Sequence, residues 1–205
     1  MIGFEAFLSK ILPRVEGAPR PAVNDAIRVA VQEFCQRTRL WRGVDTIHIV
    51  SLEEGIIAAE HGAVIYEIES ARFNGYNLEP ASITWLDGTK EGWRTWGDGQ
   101  PKYITQTEPD TVLLVPGGIG TLELSTFLKP SEDATVFPDF IADHYKQIIA
   151  DGALAELYMQ PGQPYSSAEL AMFHSTRFER RLDGMNSDSV KGQQRARVRT
   201  KPFFF

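Results

Sequence analysis

The sequence predicts an α+β fold: a helical bundle formed by N- and C-terminal helices, with an inserted β-rich region and an extended C-terminal arm. Three observations carry that prediction. Apolar residues recur at helical spacing near the start of the chain and again beyond Pro138. The stretch between them is made of short β-branched runs separated by turn signals. The last fifteen residues, Lys191 to Phe205, hold five basic side chains and no acidic one and run into Pro202-Phe203-Phe204-Phe205, too little apolar surface to offset the entropy of ordering the segment. The expected division is residues 1–43 for the N-terminal helices of the core, 44–130 for the β-rich insertion, 131–185 for the C-terminal helices of the core and 186–205 for the arm.

Each element has its own signal. Phe4, Phe7, Leu8, Ile11 and Leu12 follow the i, i+3, i+4, i+7, i+8 template of a short amphipathic helix that stops near Pro13. Pro21 suits a first helical turn, and Val23, Ile27, Ala30, Val31, Phe34 and Cys35 form one stripe to about Arg39, so the two helices are expected to pair. Strands are expected over Thr46–Leu52, Val64–Phe73, Leu78–Leu86, Tyr103–Thr107, Thr111–Val115 and Leu122–Leu128. Asn74-Gly75 is a two-residue hairpin signal, because both residues tolerate the positive φ of a type I′ turn. A helix from Pro138-Asp139 presents Ile141, Tyr145, Ile148, Ile149, Gly152 and Ala155, with Leu154 and Leu157 widening the stripe. Glycine inside a helix costs about 1 kcal/mol against alanine, so Gly152 reads as a close helix contact. After Pro161-Gly162-Gln163-Pro164 a last helix begins at Ser166 or Ser167, where Ser166-x-x-Glu169 has capping-box spacing, runs through Leu170, Ala171, His174, Phe178 and Leu182, and ends at Gly184 and Asn186. Ile148, Ile149 and Leu157 are expected to pack against the Val23, Ile27, Val31 and Phe34 stripe.

Composition narrows the function. The chain has 205 residues, a mass of 23.0 kDa and 42% hydrophobic residues, enough for a real core. The opening residues lack a basic leader pattern, and no stretch approaches the roughly 18 apolar residues of a membrane span, so neither a targeting signal nor a membrane partner is expected. A single cysteine leaves no internal disulfide and suits synthesis in a reducing, intracellular compartment. With the five basic residues from Lys191 onward set aside, 16 remain against 27 acids, so residues 1–190 carry about −11 and the arm +5. An acidic body with a basic, aromatic-tipped arm points to binding a protein partner.

Catalytic signals are weak. Pro116-Gly117-Gly118-Ile119-Gly120 follows an apolar strand as a phosphate loop would, but Thr121–Leu128 reads as another strand and no Lys-Ser/Thr pair follows, so a hairpin turn is expected. His48, His61, His144 and His174 lie far apart and none shows metal-site spacing; no cofactor and no metal is expected. Cys35 sits on a buried stripe as a small filler, with a nucleophile as the less favoured reading. Glu53, Glu54, Glu60 and Asp87 are the candidates for paired-carboxylate glycoside chemistry, although spacing alone shows no pair. In Asp87–Gln100, Gly88, Gly92, Gly97 and Gly99 surround Trp93 and Trp96. This reads as a mobile loop presenting aromatics to a protein partner, the alternative being that both rings plug the core.

Two stretches carry a family likeness. Gly99-Gln100-Pro101-Lys102-Tyr103 with the strand Leu113-Leu114-Val115-Pro116 is the first. The second is Gly152-Ala153-Leu154-Ala155-Glu156-Leu157 with Pro161-Gly162-Gln163-Pro164-Tyr165 and Ala171–Phe178. Together they resemble tailed-bacteriophage head-to-tail adaptor (connector, head-completion) proteins of the short-tailed type over most of residues 20–180. The resemblance implies a virion structural protein at the head–tail junction: a dodecameric ring between portal and tail (nozzle or tail-tube) proteins, through which DNA passes without specific binding. An acidic ring suits that passage, since it repels phosphates. The arm has no counterpart in the likeness. Arg195, Arg197, Arg199 and Lys201 alternate with smaller residues, so an extended arm puts its charges on one side, with Phe203, Phe204 and Phe205 as an apolar anchor on the portal or a neighbour. The alternatives are a virion-associated peptidoglycan-cleaving enzyme using paired carboxylates and, on the arm alone, a nucleic-acid-binding module.

Overall fold

The computed structural model describes residues 1–51, 56–59 and 62–191. In chain order its elements are β1 (Ile2–Gly3), α1 (Glu5–Ile11), α2 (Arg20–Thr38), β2 (Arg42–Ile49), β3 (Ile56–Ile57), β4 (Ala63–Phe73), β5 (Tyr76–Asn77), β6 (Glu79–Pro80), α3 (Ile83–Thr89), β7 (Tyr103–Thr105), β8 (Thr111–Val115), β9 (Gly120–Pro130), β10 (Val136–Phe137), α4 (Asp139–Met159) and α5 (Ala168–Lys191). The fold is mixed α+β and divides into two compact units, one of Met1–Leu40 with the chain from Glu132 onward, the other of Trp41–Ser131.

The first unit is helical, and α4 is its hub: α1, α2 and α5 all pack on it. The α2 stripe is buried from Val23 through Ile27, Ala30, Val31 and Phe34 to Cys35, and α4 buries Ile141, Ile149, Leu154 and Leu157. Ile148 and Tyr145 are only half-buried, the latter with its ring 5.0 Å from that of Phe34. The principal partner of both α1 and α2 is α4, which replaces the expected α1–α2 pair. Gly152 shows why the helices approach closely. A Cβ there would lie 2.9 Å from the Ala30 Cβ and 3.0 Å from the Phe178 ring, so only glycine fits where α2, α4 and α5 meet. The short β1–β10 ladder pairs Ile2 with Phe137, and Phe4 meets Phe137 edge to face at 5.3 Å.

The last helix starts at the second of the two expected serines and departs from expectation in its end and in one stripe residue. Ser167 caps it, its Oγ accepting from the Leu170 N–H at 3.3 Å, while the Ser166 hydroxyl turns to the Tyr158 carbonyl at 3.4 Å. Gly184 and Asn186 do not stop it, and it continues to Lys191. Glycine lowers helix propensity by about 1 kcal/mol, which a long flanking helix absorbs. Leu170 is exposed, whereas Ala171, His174, Phe178 and Leu182 are buried.

The second unit holds two four-stranded sheets, ordered β2-β9-β4-β5 and β3-β8-β7-β6. Leu122 and Leu124 of β9, Ala71 and Phe73 of β4, Ile104 of β7, and Val112 and Leu114 of β8 share one core, so apolar faces of both sheets meet in it. Leu113, Val115 and Tyr103, on the opposite face of the second sheet, join Leu86 and Trp93 in another cluster. A sheet buried on both faces needs the unbroken apolar run Val112–Val115 rather than alternation. Asn74 (φ 49°) and Gly75 (φ 83°) make the expected two-residue turn from β4 into β5.

Two expectations fail here. Leu78–Leu86 is not a strand: after the two-residue β6, the Ser82 hydroxyl accepts the Trp85 N–H at 3.2 Å and starts α3, with Leu86 buried. Pro116–Gly120 is not a hairpin turn, because β8 and β9 belong to different sheets. A Cβ on Gly118 would lie 2.7 Å from the Gly99 carbonyl, so this segment needs glycine to pass close to another stretch of backbone.

Candidate interaction surfaces

The Trp93/Trp96 segment is built from α3 outward. Gly92 at φ 68° reverses the chain after α3, and a 3-10 turn over Trp93–Thr95 follows. Trp93 is 5% exposed and packs with Leu86 and Val115. Its Nε1–H donates to Asp87 Oδ1 at 2.7 Å, and the Arg94 guanidinium lies 4.5 Å over its ring while pairing with both Asp87 oxygens. The segment is thus pinned at Trp93 rather than free, and Trp93 plugs its own core. Trp96, three residues on, is 40% exposed. Beside it lies a groove of about 480 Å³ lined by Ile49, Ile56, Arg94, Trp96, Glu108 and Leu113.

The same geometry bears on catalysis. Hydrogen bonds from Arg94 and then from the Trp93 N–H hold the Asp87 carboxyl below the usual carboxylate range, so Asp87 is a charged anchor and a poor proton donor. Glu53, Glu54 and Glu60 lie outside the described residues. Cys35 is fully buried and burial pushes its thiol far up, which removes it as a nucleophile. His48 is exposed beside Thr121 and His144 is exposed beside Tyr145, while His61 lies outside the described residues. Among the described residues no group of three His, Cys, Asp or Glu side chains is arranged to hold a metal ion. No described helix is long and apolar enough to cross a membrane.

Two arrangements were not foreseen. Trp85, 40% exposed, tilts against Tyr103 with centroids 5.3 Å apart, and Lys90 Nζ sits 5.6 and 5.4 Å from the two rings. The misreading of Leu78–Leu86 as a strand hid this platform. In the helical unit Asp151 is fully buried: its Oδ1 meets His174 Nδ1 at 3.0 Å, and its Oδ2 has Arg181 at 3.3 Å and Arg177 at 3.5 Å, neither aligned as a hydrogen bond. Tyr158 stacks on His174 at 5.7 Å. The signal lay in the spacing: His174, Arg177 and Arg181 fall at i, i+3, i+7, one face of α5 directed at an acid within an apolar stripe. Leu170, Met172 and Phe173 are exposed at the start of the same helix.

Arg195, Arg197, Arg199, Lys201, Phe203, Phe204 and Phe205 lie outside the described residues. What the described surface offers is exposed aromatic and apolar side chains on an acidic body, the furnishing of a protein that contacts other proteins. No curated protein matches the chain. The family model described as SU10 adaptor protein matches residues 6–201, nearly the whole chain. The chain therefore belongs to the SU10 adaptor protein family, and is a structural component of a phage virion of the head-to-tail adaptor kind.

Proposed function

We propose that the protein assembles as a homo-oligomeric ring, a dodecamer, between the portal and the nozzle or tail-tube proteins, with DNA passing through its channel unbound. The observation that carries this reading is the family match across residues 6–201. The chemistry of the chain supports it. An acidic body suits a passage for DNA because it repels phosphate, and the basic arm then lies away from the lumen. Arg195, Arg197, Arg199 and Lys201 meet carboxylates on the portal or a neighbouring copy, and Phe203–Phe205 anchor the arm. Trp96, exposed where Trp93 is not, serves as the contact of that segment with a tail protein or neighbour.

The test is reconstitution. Purified chain mixed with portal should give a complex whose adaptor mass, divided by the 23.0 kDa chain mass, yields the copy number, and a ring should be visible by electron microscopy. Deleting residues 191–205 should leave the body folded and weaken portal joining strongly, whereas neutralising only the four basic residues should give a partial, salt-sensitive defect. Normal portal binding by the truncated chain would end the assignment of the arm to the portal and leave only a neighbouring copy, and a strictly monomeric protein that never joins portal would end the ring.

A further inference from the structure

We infer that the groove beside Trp96 is the seat of Phe203–Phe205 from a second copy of this chain; the inference rests on the ring reading above. The groove sets Ile49, Ile56, Leu113 and the half-exposed Trp96 beside the polar Ser51, Arg94, Thr107 and Glu108, and its volume of about 480 Å³ is in the range that encloses a group the size of a small ligand. Such a surface on an otherwise acidic body calls for an aromatic occupant. The chain itself carries one in Pro202-Phe203-Phe204-Phe205.

Charge points the same way. The occupant is preceded by Arg195, Arg197, Arg199 and Lys201, the body they would approach carries about −11, and the groove presents Glu108 at its wall. The cation lining the groove, Arg94, is already committed to Asp87. Fourteen residues follow Lys191, and an extended chain of that length spans about 3.3 Å per residue, roughly 45 Å in all. A tail and a groove are different surfaces on one chain. Unless two copies exchange tails reciprocally, contacts between them run head-to-tail, the type that closes into a ring when the rotation allows. Three phenyl rings in one pocket would place the affinity in a few residues, with the basic run guiding approach.

The experiment uses the full chain with single added cysteines, Thr107→Cys at the groove wall and Phe204→Cys in the arm. The native Cys35 is fully buried and stays out of reach of a mild oxidant. Mixed and assembled, the two variants should give a disulfide-linked pair at twice the chain mass that neither variant gives alone. Replacing Phe203, Phe205 and Phe204 together by Ser should abolish the self-association of the chain while leaving its melting temperature unchanged. A mixture that yields no cross-linked pair overturns the inference. So does a bond that forms only within one chain carrying both cysteines, since the groove would then hold its own arm. Should rings still form on portal without the mixed bond, the groove assignment is lost and the adaptor reading stands; absence of rings altogether removes both.

Discussion

The two units treat charged side chains differently. The helical unit takes them inside: Asp151 is fully buried at the Gly152 crossing and is met by His174, Arg177 and Arg181, all from α5. The β unit buries the hydroxyls of Thr105 and Thr126 but, among the described residues, no charged side chain: Asp87 and Arg94 clamp Trp93 from the solvent side and Lys90 covers Trp85 and Tyr103. A buried carboxylate adds little net stability against an apolar replacement, but it penalises every arrangement of α5 that leaves it unpaired. An exposed aromatic with a cation beside it adds little to its own fold and much to a partner's surface. The contrast is that the helical unit pairs a carboxylate in its interior, whereas the charges of the β unit flank aromatic rings at its surface.

That contrast breaks first at the large core side chains. Trp93→Ala should cost about 3–5 kcal/mol and Leu157→Ala about 2–5 kcal/mol, because each residue is buried and leaves a cavity. Trp96→Ala should change stability by less than about 0.5 kcal/mol and act on assembly alone. Denaturant titration of the three variants separates these outcomes. A Trp96 variant as unstable as the Trp93 variant would erase the distinction between plug and contact. Next in size, Gly152→Ala should destabilise by about 1–3 kcal/mol, because the added methyl meets Ala30 at 2.9 Å and overpacks the crossing despite alanine's better helix propensity. Asp151→Asn should cost about 1–3 kcal/mol, since Arg177 and Arg181 are 36% and 38% exposed and turn to water while His174 loses a charged acceptor. The measurement that matters there is hydrogen exchange: α5 amides should lose protection before those of α2.

How much of this was legible differs by kind of signal. The stripes of α2 and α4 were readable because burial on one helix face imposes a period that composition cannot hide, and Gly152 was readable because glycine inside a helix needs a reason. Asn74-Gly75 was readable because few residues accept two positive φ angles in succession. Leu78–Leu86 was misread, since a short apolar run has no period long enough to tell strand from helix and the deciding Ser82 cap is one hydrogen bond. Pro116–Gly120 was misread because a turn sequence does not say whether its strands share a sheet. Of the surface, Trp96 was legible as a residue type, but the burial of Trp93 three positions earlier depends on Leu86 of the misread α3 and on Val115 of β8. The pairing of Asp151 with α5 is tertiary in the same sense.

The smallest expected effect is electrostatic and fades as pH falls. Glu33 lies half-buried on α2, and burial first and Glu179 second raise its pKa above the ordinary 4.5, with Arg37 pulling the other way. Arg37 is already engaged by Asp183 at 2.7 Å and Glu179 at 3.3 Å, so its help to Glu33 is shared. A carboxyl with a raised folded pKa binds its proton more tightly in the folded state than in the unfolded one. Its contribution is fully present below the unfolded pKa, falls as pH rises through the window up to the folded pKa, and remains a cost at neutral pH. Glu33→Gln removes the charge without changing the side chain's size. The variant should therefore melt slightly above the parent at pH 7, and the gap should close below about pH 4, where Glu33 is protonated in both states. Thermal melts across that range check it. A variant that melts lower at pH 7 would mean that Glu33 is a net partner of Arg37, and that the helical unit depends on one more charge pair than its buried Asp151 cluster.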